Sequence, residues 1–154
     1  MIDKQSILTL YNNFEQIKNS MPPSKLKYVH SKTVDNFIFH LDKFTYEAEK
    51  QKVYDVLTRY FDYLNNVRVE DAKTSQSVFI EYLHPLTNIY SDYLDFHLAV
   101  KPWIMILFAC VIALCLYCFN ASILVYIAGA FVVLLLVARH FYFQKKQRLY
   151  SIMY

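Results

Sequence analysis

Glycine is nearly absent from this chain, because only one of its 154 residues, Gly129, is a glycine. Loops that cradle phosphates need several glycines, since their backbone must approach the ligand closely. The sequence therefore excludes a P-loop and a GxGxxG dinucleotide turn, and it contains neither a GxSxG nor an HExxH motif. Without glycine turns or alternating apolar runs, we predict an all-α protein rather than one built on strands.

Charge is absent from one long stretch, since residues 102–138 contain no Asp, Glu, Lys, Arg or His. A membrane-spanning helix needs about 20 apolar residues. We therefore predict a transmembrane helical hairpin in residues 101–143, with spans at about 103–119 and 123–140 and a tight turn at Asn120-Ala121-Ser122. In a soluble protein, each helix of such a pair would normally expose a polar face to water. A re-entrant wedge that dips into one leaflet remains the alternative geometry.

Acidic residues are missing from the whole C-terminal third, where every charged side chain is basic. The positive-inside rule places such basic flanks in the cytoplasm. We therefore expect an integral membrane protein with two spans and both termini cytoplasmic, and a composition rich in Lys, Asn, Ile and Tyr favours a bacterial inner membrane. The basic excess is a membrane flank, so we expect a lipid bilayer and no nucleic acid as a partner. The flanking residues are Lys101, Trp103, Arg139, Lys145, Lys146 and Arg148.

Small residues in the two spans predict how the hairpin packs. Ala109 and Ala113 form a small-xxx-small ridge, and Gly129 lies at a similar depth in the second span. We expect these three residues to let the two backbones approach closely. Cys115 and Cys118 spell CxxC, but hydrocarbon disfavours the thiolates that metal binding and redox attack require.

Residues 1–100 are predicted to form a cytosolic bundle of three to four helices. Asp3 or Ser6 caps the first helix, which ends at Pro22-Pro23. A second apolar stripe from Val34 to Val67 predicts one long helix with a stutter or two abutting helices, with Thr33 as its cap. A polar break follows at residues 71–77, with Thr74 and Ser75 as candidate caps for the next helix. The apolar period then resumes, and we expect either a kink or a junction of two helices at His84-Pro85. Residues 144–154 are expected to form a short basic cytoplasmic tail.

Aromatic residues are abundant, with 14 tyrosines and 12 phenylalanines. Exposed tyrosines are favoured at the energetic centres of protein interfaces. The segment before the hairpin, residues 74–100, contains three acidic residues and no Lys or Arg. We therefore take four of its aromatic residues as candidates for docking a partner: Tyr82, Tyr90, Tyr93 and Phe96.

Catalytic signatures are weak throughout the chain. Glu81 and His84 form a single ExxH pair, whereas a di-iron bundle needs a second pair and further carboxylates. Asp92 and Asp95 lie three residues apart on one predicted helix face, with His97 pointing elsewhere. We expect no metal site, no cofactor and no enzyme activity.

These observations favour a membrane-anchored helical protein-interaction module, such as an adaptor or an immunity-type protein, that holds a partner at the cytoplasmic face. Its partner would be another protein or a second copy of the chain. Two alternatives remain open. One is a small effector that oligomerises and permeabilises the membrane, and the other is a membrane-shaping hairpin protein.

Overall fold

The computed structural model describes residues 2–99, 102–118 and 123–150 and divides the chain into two compact units. The first, called the N-terminal unit below, contains residues 2–98 together with residues 148–150. The second contains residues between Ala99 and Gln147. The chain is 79% helical and 3% strand, which confirms the all-α class.

The described residues form seven α-helices and two very short strands, which turns and loops connect. Two 3₁₀ turns, Pro23–Lys25 and Leu41–Lys43, and one π-helical turn, Phe79–Leu83, complete the helical segments. The π turn joins α4 to α5 without a break, so the N-terminal unit contains four helical stretches. The helices are α1 (Lys4–Asn19), α2 (Ser31–His40), α3 (Glu47–Asn66), α4 (Ala72–Val78), α5 (His84–Leu94), α6 (Pro102–Cys118) and α7 (Ile123–Lys145), and the strands are β1 (His97–Leu98) and β2 (Leu149–Tyr150).

Aspartate caps begin two of the helices. The carboxylate of Asp3 accepts the backbone N–H of Ser6 over 2.8 Å, which confirms Asp3 as the cap of α1. Asp71 accepts the N–H of Thr74 over 2.9 Å, so α4 begins before the predicted caps Thr74 and Ser75. These two predictions were wrong because Asp71, the first residue of the polar break, performs the capping.

Thr33 does not cap α2 either. The helix begins at Ser31, and Thr33 is a buried residue in its first turn. His30 precedes the helix with a left-handed backbone (φ 48°), and its side chain makes no capping bond. In a chain with one glycine, three non-glycine residues take up this conformation, the others being Asp95 (φ 57°) and Gln147 (φ 55°).

The apolar stripe from Val34 to Val67 belongs to two helices, as one of the two predicted alternatives requires. Between α2 and α3 lie a 3₁₀ turn and an extended residue, Phe44. Leu41 and Phe44 in this connection are buried. The stripe shifts its phase here because the chain leaves the helix while its apolar side chains stay in the core.

Aromatic rings fill the centre of the N-terminal unit. Phe37 of α2 stacks on Tyr90 of α5 with ring centroids 4.3 Å apart, and Phe96 packs against both. The hydroxyl of Tyr90 donates to the carbonyl oxygen of Phe37, and that of Tyr60 donates to Val29 over 2.8 Å. Burial raises the pKa of both phenols, so they remain neutral donors at any physiological pH.

The two strands pair in parallel within the N-terminal unit, His97 opposite Leu149 and Leu98 opposite Tyr150. The N–H of His97 donates to the carbonyl of Arg148 over 2.9 Å. The side-chain amide of Asn36 donates to the carbonyl of Leu149 over 2.7 Å. Residues 148–150 are therefore part of the N-terminal unit, although they lie in the segment predicted to form a basic cytoplasmic tail.

α6 and α7 contact each other and form the second unit. Among the described residues, one segment, Val125–Lys145, is long and apolar enough to cross a membrane, and none of its most apolar window is buried. α6 has 17 residues and no charged side chain. Lys101 and the predicted turn at 120–122 lie outside the described residues.

Candidate functional site

A groove lies beside the π turn in the N-terminal unit. It has a volume of about 590 Å³, which is within the usual range for ligand sites of roughly 300–1,000 Å³. One wall is the outer face of α3 and the other is the end of the π turn with the start of α5. The lining residues are Lys52, Val56, Arg59, Asp62, Tyr63, Asn66, Glu81, Tyr82 and Pro85.

Pro85 accounts for the shape of the second wall. A proline has no N–H to bond the carbonyl of Glu81, four residues earlier, and its ring crowds that oxygen. The chain responds with a π turn, in which the N–H of His84 donates to the carbonyl of Phe79, five residues back. This confirms the predicted irregularity at His84-Pro85 and places Glu81 and Tyr82 on the widened turn.

Tyr82 is the aromatic centre of the groove. It is half-buried, and its ring centroid lies 5.5 Å from that of Tyr63 and 5.9 Å from that of Tyr60. Partial burial, reinforced by the negative charge of Glu81, raises the pKa of the Tyr82 phenol. The hydroxyl is protonated at neutral pH, as an ordinary tyrosine also is, and a hydrogen bond to Glu81 contributes to the shift.

The charges around the groove balance. Lys52 and Arg59 supply two positive charges, and Asp62 and Glu81 supply two negative ones. A balanced wall does not select phosphate or another anion, whereas it can pair with a polar peptide surface of mixed charge. Tyrosine and arginine are both enriched at the energetic centres of protein interfaces, and the groove contains two tyrosines and one arginine.

The four predicted docking residues separate into two groups. Tyr90 is 0% exposed and Phe96 is 1% exposed, so both belong to the core and their assignment to a docking surface was wrong. The left-handed residue Asp95 ends α5 and turns Phe96 back onto Tyr90 and Phe37. Tyr82 lines the groove, and Tyr93 is exposed, with its hydroxyl 3.3 Å from the carboxylate of Glu49.

The predicted carboxylate pair does not form. α5 ends at Leu94, so Asp92 and Asp95 do not share a helix face as predicted. Asp95 instead contacts His97, whose Nε2 lies 2.9 Å from its Oδ1, so His97 does not point elsewhere. Within the described ranges there is no cluster of three His, Cys, Asp or Glu residues that could hold a metal ion.

A buried Ser75–His30 contact resembles a catalytic dyad but has the wrong polarity. Ser75 Oγ donates its proton to the carbonyl of Tyr28 over 2.7 Å. His30 Nε2 lies 3.1 Å from that same Oγ and 3.3 Å from the carbonyl of Ser75, so it faces two acceptors and carries the proton. An imidazole that donates to the serine cannot deprotonate it, and both residues are buried. No sequence pattern indicates this contact, because a separation of 45 residues leaves no local signal.

The small residues predicted to pack the helix pair do not produce a close approach at Gly129. A methyl group built there meets no heavy atom within 4 Å in the described part of the chain. Ala113 is exposed and Ala109 is half-buried. The side chains of Cys115 and Cys118 lie outside the described residues, and Cys110 is an exposed free thiol.

The basic flank at the end of α7 and just after it is in the described part of the chain. Arg139, Lys145 and Lys146 are exposed, and Arg148 is half-buried beside β2. On the other flank, Lys101 and the side chain of Trp103 lie outside the described residues.

Comparison with known proteins adds no relative. No protein-family model, curated protein or solved structure matches this chain. The geometry of the groove and of the helix pair therefore carries the functional argument alone.

Proposed function

We propose that this chain is a membrane-anchored helical interaction module that holds a protein partner at the cytoplasmic face of a membrane. The observation that carries the proposal is the exposure of large apolar side chains on α6 and α7. Water would penalise so large a continuous apolar surface, whereas lipid would not. The most exposed of these side chains are Leu134 (66%), Phe108 (65%), Leu114 (63%) and Phe131 (62%).

The lengths of the two helices suit a thin bilayer. At 1.5 Å per residue, the 17 residues of α6 extend about 26 Å and the 23 residues of α7 about 35 Å. The hydrocarbon core is about 30 Å thick. Only the charge-free part of α7, residues 123–138, needs to lie in the hydrocarbon, and it extends about 24 Å. Local thinning of the bilayer can therefore accommodate both helices.

The pairing of β1 with β2 supports a hairpin that returns to the side where it started. The chain leaves the N-terminal unit just after β1 and rejoins it at β2, and these strands are hydrogen-bonded neighbours. Adjacent strands lie about 5 Å apart. Two apolar helices between such closely spaced points return the chain to the face from which it left, as a hairpin with two spans requires. The basic residues that follow α7 favour the cytoplasm for this side.

The groove is the docking surface in this proposal, with Tyr82 at its centre. Topology and docking are tested separately. Reporter fusions at the two termini are expected to place both in the cytoplasm, and termini on opposite faces would contradict the hairpin.

A photo-cross-linking amino acid at position 82 tests docking, and the same substitution at Tyr11, an exposed tyrosine of α1 outside the groove, is the matched control. The expected result is a discrete protein adduct from position 82, absent from position 11, that disappears when Arg59→Glu reverses one charge of the groove. Equal labelling from positions 82 and 11 would contradict docking at the groove.

A further inference from the structure

Four residues at the end of α7 form one face of the helix. Arg139, Tyr142, Phe143 and Lys146 follow one another at helical spacing, and Lys146 continues the helical pattern by donating its N–H to the carbonyl of Tyr142 over 3.1 Å. The guanidinium of Arg139 lies 5.6 Å from the centroid of the Phe143 ring, and the ammonium of Lys146 lies 5.8 Å from that of Tyr142. Two cation–π pairs therefore position two positive charges along one stripe.

The stripe lies where the apolar part of α7 ends. Residues 123–138 contain no charge, and Arg139 is the first charged residue after them. Lys146 is seven residues further, about 10 Å along the axis. The headgroup layer on each side of a bilayer is roughly 5–8 Å thick. In the proposed membrane setting, Arg139 lies at the hydrocarbon boundary and Lys146 at the outer edge of the headgroups.

The charge of this segment is of one sign. Between Arg139 and Tyr154 there are four Lys or Arg residues and no acidic residue. Arg139, Lys146 and Tyr142 are exposed, and Tyr142 offers a phenolic donor between the two cations. Exposed donors in such a row match the phosphate oxygens of a lipid headgroup, and a headgroup without a compensating ammonium matches best.

We propose that the exposed side chains of Arg139, Tyr142 and Lys146 form a binding site for an anionic phospholipid, with Arg139 and Lys146 pairing with its phosphate and the exposed face of Tyr142 contacting its glycerol region. Phe143 is buried, and its ring holds the guanidinium of Arg139 in place. This inference rests on the proposed membrane anchorage and adds a lipid preference to it. The site selects phosphatidylglycerol over phosphatidylcholine, which carries the same phosphate but a cationic choline.

Lys145 provides a matched control, because it has the same charge and neighbours Lys146 but lies on another side of the helix. Full-length chain in mild detergent is mixed with equal amounts of phosphatidylglycerol and phosphatidylcholine of identical acyl chains, and native mass spectrometry counts the lipids retained. The ratio of the two lipids on wild type is expected to favour phosphatidylglycerol. Lys146→Gln is expected to reduce that ratio about fivefold, and Lys145→Gln less than about twofold.

Arg139→Gln removes the positive charge at the other end of the stripe, and we expect it to reduce the ratio of phosphatidylglycerol to phosphatidylcholine by a similar factor. Equal retention of the two lipids by wild type, or equal effects of Lys146→Gln and Lys145→Gln, would overturn the site. Loss of the preference when inorganic phosphate is added would also overturn it, because a free anion would then suffice. A chain that stays embedded in membranes yet shows no lipid preference contradicts this inference alone, whereas a chain that washes off membranes contradicts the anchorage.

Discussion

The side-chain amide of Asn36 donates a 2.7 Å hydrogen bond to the backbone carbonyl of Leu149, a residue 113 positions further along the chain. This bond ties β2 to α2, and Tyr150 of the same strand packs against the core. The chain segment that follows the helix pair is thereby held in the N-terminal unit.

Removal of this tether is expected to release β2. In Asn36→Ala the carbonyl of Leu149 loses its side-chain donor, at a cost of about 0.5–1.5 kcal/mol for this part-buried hydrogen bond. We expect trypsin to cut after Arg148 faster than in wild type. Mass spectrometry of the released C-terminal peptide measures the cleavage rate. Asn66→Ala is the control, because Asn66 only bonds the carbonyl of Asp62 within its own helix end. Equal cleavage rates in the two variants would show that β2 is held by other contacts.

The hydroxyl of Tyr90 is expected to stabilise the N-terminal unit. Tyr90→Phe keeps the ring stacked on Phe37 but leaves the carbonyl of Phe37 without its donor in a fully buried position. The free energy of unfolding is expected to fall by about 1–3 kcal/mol in urea titrations followed by near-ultraviolet circular dichroism. Tyr93→Phe removes an exposed hydroxyl and is expected to change the free energy of unfolding by less than about 0.5 kcal/mol. An unchanged free energy of unfolding in Tyr90→Phe would contradict this role of the hydroxyl.

The aspartate caps make the N-terminal unit sensitive to acid. The backbone N–H of Thr74 and its hydroxyl hold the pKa of Asp71 below its usual value, and the hydroxyl and N–H of Ser6 do the same for Asp3. Because the folded pKa lies below the unfolded one, the stabilisation is complete above the unfolded value and is lost as the pH falls through the folded value. Stability is therefore expected to decrease below about pH 4.

Asp71→Asn separates charge from capping, since an amide oxygen can still accept the N–H of Thr74. The loss of unfolding free energy between pH 7 and pH 3 is expected to be smaller in this variant than in wild type, measured by urea titration at both values. An unchanged loss would show that the Asp71 cap does not contribute to the acid sensitivity.

Gly129 has room for a side chain. Because a Cβ at this position meets nothing within 4 Å among the described residues, Gly129→Ala is expected to stabilise α7 by about 0.5–1 kcal/mol through helix propensity. Ala130→Gly, at the neighbouring exposed position, is expected to destabilise it by a similar amount. Thermal unfolding in mild detergent measures both. A destabilised Gly129→Ala would instead support the close backbone approach that the small residues suggested.

Helical spacing predicted much of the fold, yet it assigned two of the four docking residues wrongly. Tyr90 and Tyr93 are three residues apart, so both fit one apolar stripe. Only the position of α2 decides that Tyr90 enters the core while Tyr93 stays exposed. The turn that returns Phe96 to the core depends on a left-handed backbone at Asp95, which glycine would have signalled and aspartate did not.

The strands were missed because each has only two residues. Residues 95–98 do alternate polar and apolar side chains, but so short a run has little weight against a strong helical period. The pairing of β1 with β2 spans the entire helix pair, and no local pattern encodes a contact of that separation. The apolar stretch, by contrast, can be located from the sequence, because its composition is recognisable without knowledge of any distant contact.

Alkaline carbonate extraction of membranes that contain the full-length chain tests most directly whether lipid surrounds α6 and α7. The chain is expected to stay in the membrane pellet after the wash, because lipid is the solvent in which the exposed apolar side chains of both helices are stable. Recovery of intact chain in the supernatant as a monodisperse monomer would contradict it.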